Sequence, residues 1–520
     1  MSNTRGIVPK KITGFRDINP DLNALRWQIV NNATQVYKSF GFEHWDTPVL
    51  EYADCMGKYL PDRDTIDQGV FSFRSPEKEP IYNSTGEELR DDWNRVLMEN
   101  HFLALRYDLT APLSRFYAEL LWKDVLKSKG GEIKTPLFRR YQYGPVFRFE
   151  KKIEPGRFRE FWQLDFDSVG TKDVSADAEI CMVLSAAFEK IGLERGTYII
   201  KVNNRKILNG FLFSLGITDE DQIADVLRVI DKFDKIGFPG VKEELGAGRV
   251  DASGSMIKGL DIPRNAIDNI IDFLQDFHKN ISRKDTINRL KSYSKNQTIE
   301  EGILELESID NILSGLEIYE DRVIFDPSFA RGLAYYTGPV FEVESLITYI
   351  DDKGNKRNFG AIAAGGRYDG LVQSLLGVKV PATGASIGVD RLAELLTKVN
   401  KNTEKEKGAV LVAHFDDALI PEYQKIAMEL RNAGVDTEVF YGDQRQLKKQ
   451  LQYADKKQSP IAIILGENEF RKGVVSVRNL ELGKELSATI VDKAEWKNRV
   501  QFEVERKDVV KTVLEILNKK

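Results

Sequence analysis

The chain has 520 residues, of which 42% are hydrophobic and 30% charged, and its formal net charge is −5. That length exceeds what one hydrophobic core organises, so about two to four domains are expected, with the composition of an ordinary globular protein. The negative balance excludes a uniformly basic surface, and any contact with nucleic acid must come from local patches.

Asn19 and Pro20 open the first predicted helix, whose apolar positions Leu22, Leu25, Ile29, Val36 and Phe40 share one face until Gly41 breaks it. An extended segment follows around residues 48–51. Residues 102–170 read as strand-rich, with "RRYQYGPVFRFE" and "REFWQLDFDSVG" predicted as two antiparallel strands joined by the charged turn "KKIEPG". Residues 210–320 read as helices. Thr218 is the expected cap of one with Ile223, Val226, Leu227, Ile230 and Phe233 on its buried face, and 264–280 and 300–316 repeat the pattern. Strands return in "DRVIFDPSFARGLAYYTGPVFEVES" and "FGAIAAGGRYDGLV". The polar stretch 398–408 reads as a linker. Beyond it, strands are predicted at 409–414, 436–440, 461–465, 474–478 and 487–491, with helices at 421–433 and 444–457, an alternation that indicates a separate α/β domain.

Cys55 and Cys181 stand far apart, and His44, His101, His278 and His414 are scattered, so neither a zinc site nor a disulfide framework is expected. The opening "MSNTRGIVPKKITG" has no apolar stretch of a secretory signal, and runs such as 460–465 are too short to span a membrane. A reducing cytoplasm fits these features.

The charged hairpin is the most informative piece. Arg148 and Glu150 sit two apart, which on a strand places them on one side. Arg157 and Arg159 lie across the turn, followed at period two by Phe161, Gln163, Asp165 and Asp167. Such a face is too polar for a core and suits binding a triphosphate, stacking a purine and holding an ammonium group. A single Arg–Glu pair would more often be a solvated cross-strand ion pair; the whole set indicates a site.

"FRFEKKIEPGRFREFWQLDFDSVG" resembles motif 2 of the class II aminoacyl-tRNA synthetases in its histidyl form. "GFRDINP" resembles that family's opening, and "GFEHWDTPVLE" its motif 1, whose proline, here Pro48, lies at a dimer interface. "LRYDLTAPLSRF" resembles its ammonium-holding segment, "ARGLAYYTGPVFE" and "GGRYDGL" two histidyl segments, and "ATGASIGVDRL" motif 3. The motifs stand in family order across nearly the whole catalytic region. The implied architecture is an α+β catalytic domain on an antiparallel sheet (1–209 and 321–400), a helical insertion domain (210–320) and a C-terminal α/β anticodon-binding domain (401–520).

The resemblance implies ATP-dependent activation of L-histidine and its transfer to tRNA(His) by a homodimer. Arg148 would hold the α-phosphate, Arg157 and Arg391 the γ-phosphate, Glu150 the adenine edge, and Phe161 would stack on the base. Arg331 would bridge the α-phosphate and the histidine carboxylate, making it catalytic together with Arg148, and Mg²⁺ would bridge phosphate oxygens. Asp108 and Thr110 would bind the ammonium group, Gln163 the amino-acid backbone, and Asp167 with Tyr335 or Tyr336 the imidazole. Gly365 and Gly366 would let backbone approach the ligand.

Three departures from the family pattern stand out: Ala334 where an acidic residue is usual, the altered loop "KKIEPG", and Tyr107–Asp108 where many bacterial members carry Pro and Glu. Near the C-terminus, Arg445, Lys448, Lys449 and Lys456 fall close to one helical face, which suits tRNA or an ordinary solvated helix equally. Two rivals remain: a regulatory paralogue serving histidine biosynthesis and a non-catalytic sensor of uncharged tRNA. Either would be expected to lose arginines of the ATP site.

Overall fold

The first helix begins where its chemistry demands. Asn19 accepts the Leu22 amide at 2.8 Å, and Pro20 occupies the first turn of α1 (Pro20–Ser39), where its missing N–H is no loss. Gly41, at φ +80°, then turns the chain out of the helix. The computed structural model describes residues 9–57, 69–81, 87–90, 94–99, 102–128, 133–153, 156–251, 254–277, 282–330, 336–350, 354–399, 407–487 and 492–518. The chain divides into two compact units, Met1–Lys401 and Asn402–Lys520.

The first unit is built on an eight-stranded sheet. Its strands are β1 (Glu43–His44), β2 (Phe138–Phe147), β3 (Glu160–Val169), β4 (Tyr198–Asn204), β5 (Val323–Phe325), β6 (Pro339–Ile350), β7 (Lys356–Arg367) and β8 (Ala382–Gly388). They run in the order β1-β2-β3-β8-β7-β6-β4-β5. All neighbours are antiparallel except the outermost pairs, β1 with β2 and β5 with β4. The expected hairpin is therefore present, with Arg140 opposite Asp167 and Gln142 opposite Asp165. The extended segment after α1 is the strand Leu50–Tyr52, which pairs with Phe102–Leu105 in a separate small sheet.

The reading of 102–170 as strands is corrected over its middle, where α2 (Thr110–Ser128) is a helix. Asp108 starts it by accepting the Thr110 and Ala111 amides at 3.1 and 2.9 Å. Leu113, Tyr117 and Leu121, one turn apart, are buried on its inner side. The aromatic content of the flanks concealed this four-residue period.

One face of the sheet is apolar and covered by helices. Leu164 and Phe166 of β3 join Ile29, Ala33 and Tyr37 of α1 and Ile180, Leu184 and Phe188 of α3 (Ser175–Ile191) in one core. The same core runs on into the helical block α4 (Arg205–Ser214), α5 (Glu220–Ile230), α6 (Phe233–Leu245), α7 (Arg264–Phe277), α8 (Arg283–Ser292) and α9 (Gln297–Gly315). The cap of α5 is Asp219, not Thr218: its carboxylate accepts the Gln222 amide at 2.8 Å. The block also holds a hairpin, Gly248–Val250 with Met256–Lys258. Helix α10 (Val389–Val399) closes the apolar face behind β8, burying Leu392, Leu395 and Leu396.

In the second unit, β9 (Val410–Val412) lies parallel to both β10 (Thr437–Val439) and β11 (Ile461–Ile464), and β12 (Val474–Asn479) and β13 (Gln501–Glu505) add antiparallel strands. Helix α11 (Ile420–Asn432) packs Tyr423, Ile426 and Leu430 against this sheet, and α12 (Leu447–Lys456) buries Gln450 and Ala454. The fifth strand is thus 501–505. At the position predicted for it, Ser487 ends a helix and 488–491 lie outside the described residues. So does most of the predicted linker, 400–406.

Candidate active site

The polar side of the sheet is the candidate site. Period two along β3 sends Trp162, Leu164 and Phe166 into or against the core and turns Phe161, Gln163, Asp165 and Asp167 the other way. Gln163, Asp165 and Asp167 are nevertheless 8%, 2% and 3% exposed, because neighbouring strands and the 105–110 segment cover them. Gln163 Nε2 donates to Ser386 Oγ of β8 at 2.9 Å. Tyr368 Oη donates to Asp167 Oδ1 at 2.5 Å. A Cβ on Gly384 would stand 2.1 Å from that same oxygen, so motif 3 contributes a glycine that makes room for the carboxylate.

Arg140, 1% exposed, holds this end of the site together. It donates to Gln142 Oε1 at 2.6 Å and to the Leu109 carbonyl at 2.8 Å, and its Nη2 lies 3.2 Å from Asp167 Oδ2. That last contact is an ion pair in distance but not in hydrogen-bond alignment, since Asp167 Oδ2 has no donor among the described residues. Burial pushes Asp167 above the usual carboxylate range against the pull of Arg140 and Tyr368. Burial, reinforced by Asp167, pushes Asp165 up to about 8.

Asp108 faces the same region from the start of α2. One of its oxygens caps the helix, which fixes the carboxylate in place. Arg106 is threaded beside it, donating to Pro145 O at 2.8 Å and Thr47 O at 2.9 Å. Its Nη2 would stand 2.5 Å from a Cβ on Gly144, so β2 needs glycine there.

The cationic side of the site is assembled from loops. Arg148 and Glu150 lie just beyond the end of β2, so they are not on the strand as expected. The Arg148 guanidinium sits 4.4 Å from the Tyr107 ring centre and 5.3 Å from that of Phe161, and its Nε donates to Tyr107 O at 3.1 Å. Arg157 pairs with Glu150 at 2.8 Å. Gly156, at φ +74°, lies close against Arg391: a Cβ there would be 3.1 Å from Arg391 Cγ. The motif 2 turn and the start of α10 therefore meet. Arg391 itself donates to Phe359 O.

A buried carboxylate, Asp390, anchors this junction. It accepts Arg16 at 2.7 Å, Arg26 at 2.6 Å and the Trp162 amide at 2.6 Å. It thereby ties the opening segment, α1, β3 and α10 together one residue before Arg391 and one after Phe161.

Arg148, Glu150, Arg157, Phe161 and Arg391 thus gather at one end, and Asp108, Thr110, Gln163 and Asp167 at the other. Tyr336 packs against Gly366, where a Cβ would come within 2.7 Å of its ring, and a Cβ on Gly365 would strike Gly384 O at 2.2 Å. Both glycines thus make room for a tyrosine ring and a neighbouring strand. Arg331, Ala334 and Tyr335 lie outside the described residues, as do Glu154 and Pro155 of the motif 2 turn. In the second unit Lys448 and Lys449 are exposed at the start of α12. Arg445 precedes that helix and is engaged with His414 Nδ1 at 2.9 Å and Asp417 at 3.1 Å. Sequence reasoning assigned no role to Tyr368, Arg140 or Asp390. Only Tyr368, inside "GGRYDGL", carried a signal; the other two are revealed by cross-strand register and by tertiary pairing.

A largely antiparallel sheet with a buried polar face, an arginine-bearing hairpin and an arginine at the start of the closing helix is the architecture of class II aminoacyl-tRNA synthetases. Residues 76–392 match the profile of histidyl-tRNA synthetase and residues 408–516 that of an anticodon binding domain. A histidine–tRNA ligase of Ruegeria sp. (strain TM1040) is 43% identical over 516 residues, 98% of this chain and 96% of the relative. That of Paracoccus denitrificans (strain Pd 1222) is 43% identical, covering 97% of this chain and 96% of its own. The crystal structure of histidyl-tRNA synthetase from Nostoc sp. PCC 7120 is similar at a TM-score of 0.66 and 27% identity, covering 98% of this chain and 100% of that one. This chain belongs to the histidyl-tRNA synthetase family.

Proposed function

We propose that this chain activates L-histidine with ATP, giving histidyl-adenylate and pyrophosphate, and then transfers histidine to the 3′ end of tRNA(His). The observation that carries this reading is the row of buried acceptors beside a cluster of guanidiniums, in a chain that matches a histidine–tRNA ligase over 98% of its length. The regulatory paralogue is disfavoured, because Arg148, Arg157 and Arg391 are retained and a C-terminal unit matching an anticodon binding domain is present.

Activation brings two anions together, a carboxylate and the α-phosphate, so cations must stand where negative charge collects. In our reading Arg148, held between two rings, meets the α-phosphate, and Arg157 and Arg391 meet the γ-phosphate. Glu150 reads the adenine edge and Phe161 stacks on it. Arg157 has to leave Glu150 for this; an ion pair with so exposed a partner contributes only about 0.2–1 kcal/mol, which ATP readily outcompetes. Arg331 bridges the α-phosphate and the histidine carboxylate, a role assigned by resemblance alone. Among the described residues no three His, Cys, Asp or Glu side chains are grouped to hold a metal ion. Mg²⁺ would enter with ATP and supply positive charge to its phosphates.

On the amino-acid side, Asp108 and Thr110 hold the ammonium group, Gln163 reaches the backbone, and Asp167 reads the imidazole with Tyr335 or Tyr336. Tyr368 orients Asp167. A buried hydrogen-bonding pocket of this kind can discriminate by roughly 10⁴ or more, because a wrong side chain leaves polar groups unpaired. We place catalysis in 1–209 and 321–400, acceptor-arm contact in 210–320, and anticodon contact in 401–520 with Arg445, Lys448 and Lys449. Exposed Trp45, Val49, Leu50 and Tyr52, flanking Pro48, suit a homodimer interface. Among the described residues no helix is long and apolar enough to cross a membrane, and we assign the cytoplasm.

The test is exchange of labelled pyrophosphate into ATP, measured with each amino acid in turn. Exchange with histidine alone is expected. No exchange with histidine would remove the enzymatic reading, and exchange with another amino acid would remove the specificity.

A further inference from the structure

Three acceptor oxygens lie along one face of β3 with no hydrogen-bond donor among the described residues: Gln163 Oε1, Asp165 Oδ1 and Asp167 Oδ2. Each such buried atom costs about 1–3 kcal/mol if left unsatisfied, and folded proteins rarely keep several together. Adjacent acceptors on a pocket floor are the complement of a ligand rich in N–H groups. Gln163 and Asp167 already have roles in the reading above. Asp165, between them and 2% exposed, has none.

The charges around Asp165 do not balance. Five titratable groups act on it electrostatically, Arg106 and Asp108 from the segment before α2, Arg140 from β2, Asp167 beside it on β3 and Tyr37 from α1; Ser386 of β8 hydrogen-bonds its carboxyl, and Tyr368 after β7 donates to the neighbouring Asp167. Both tyrosines are held neutral by burial and by the nearby carboxylates. That leaves three carboxylates, Asp108, Asp165 and Asp167, against two guanidiniums, Arg106 and Arg140, which are 3% and 1% exposed. One negative charge is in excess.

We propose that Asp165 is a specificity-determining carboxylate that accepts an N–H bond from the ammonium group of the amino-acid substrate and is neutralised by it. The proposal rests on the histidine-activating reading given above. Without substrate, burial and Asp167 keep a proton on Asp165 up to about pH 8. The exchange is balanced: the carboxylic acid and the ammonium ion become a carboxylate–ammonium pair, and the displaced proton goes to solvent. Histidine binding at neutral pH therefore releases a proton, and affinity rises between pH 6 and 8. Free histidine titrates its own imidazole near that window, so the diagnostic quantity is the difference between the parent and a variant without the carboxylate.

The experiment is calorimetric titration of the full-length protein with L-histidine at pH 7 in two buffers of different ionisation enthalpy, repeated with Asp165→Asn. The parent should release about one proton per site more than the variant. The variant should bind histidine roughly 10- to 100-fold more weakly, the loss of one charge-assisted hydrogen bond. Imidazole-lactate, which carries a hydroxyl in place of the ammonium group, should bind parent and variant alike. Equal histidine affinity and equal proton release in the two proteins would overturn the proposal while leaving histidine activation standing. A parent that binds no histidine would overturn both. Should Asp165→Asn fail to fold, Asp165→Ser takes its place in the same comparison.

Discussion

The two ends of the site are built in opposite ways. At the amino-acid end Gln163, Asp165 and Asp167 project from one strand, are almost fully buried, and are fixed by Ser386, Tyr368 and Arg140. At the proposed nucleotide end Arg148 is stacked on rings, Arg157 pairs with Glu150 on the loop, and Arg391 at a helix start donates to the Phe359 carbonyl. The first end is rigid and acidic and suits selection of one small cation. The second is cationic and adaptable, which suits a polyanion that must bend and then leave as pyrophosphate. On the proposed function, selection rests on the strand and electrostatic stabilisation on the loops.

Asp390 is where the two constructions join, so its removal should have the largest effect. Asp390→Ala leaves Arg16 and Arg26 without their shared carboxylate and the Trp162 amide without its acceptor. Breaking a buried pair in this way costs roughly 3–5 kcal/mol. We expect a lower thermal midpoint together with a raised KM for ATP and a smaller change in KM for histidine. Equal changes in both KM values would mean that the two ends are one mechanical unit, and the contrast between them would fail.

Arg148→Ala tests the nucleotide end by itself. Loss of one preorganised donor to developing charge costs roughly 10²–10³ in rate, about 2.7–4 kcal/mol. Pyrophosphate exchange should fall by that factor with the melting curve little changed. Arg148→Lys should restore little, because the flat guanidinium fits between Tyr107 and Phe161 and an ammonium does not stack in that way. Full rescue by lysine would show that charge alone matters there.

These contrasts also explain what the sequence disclosed. The hairpin, the polar period along β3 and the first four strands after residue 408 follow from local pattern and are present, whereas the fifth strand lies at 501–505 rather than 487–491. The helix after Asp108 was hidden because aromatic residues flank it. Arg148 and Glu150 were placed on a strand because period two was extended past Phe147, where pairing ends. Arg140 and Asp390 could not be read from sequence, since each acquires meaning only from partners such as Leu109, Asp167, Arg16 and Trp162, most of them far along the chain.

The amino-acid end predicts a trade between stability and binding. Asp165 is held above its unfolded value of 3.8, up to about 8. A carboxyl with a raised folded-state pKa is fully stabilising below the unfolded pKa, and that contribution is lost as pH climbs to the folded pKa. Asp165→Asn carries no such loss. Its thermal midpoint should therefore exceed that of the parent by an amount that grows from pH 4 to pH 8, while its histidine binding weakens. A midpoint difference that shrinks over that range would show that Asp165 is ionised in the folded protein.

The smallest effect is expected furthest from the chemistry, and it asks whether the contrast within the first unit is self-sufficient. Lys448 and Lys449 are exposed, whereas nearby Arg445 is engaged with His414 and Asp417. Of the three residues assigned to anticodon contact, the two lysines are therefore available to phosphates without breaking an internal contact. Their joint replacement by alanine should raise KM for tRNA several-fold and lower the slope of log KM against log salt by about 2, one unit for each phosphate contact removed. Pyrophosphate exchange should be unchanged, because the proposed function places activation on the strand floor and the arginine loops. A fall in exchange would make the second unit a participant in activation. An unchanged salt slope would leave α12 an ordinary solvated helix, with anticodon contact to be sought on another face of that unit.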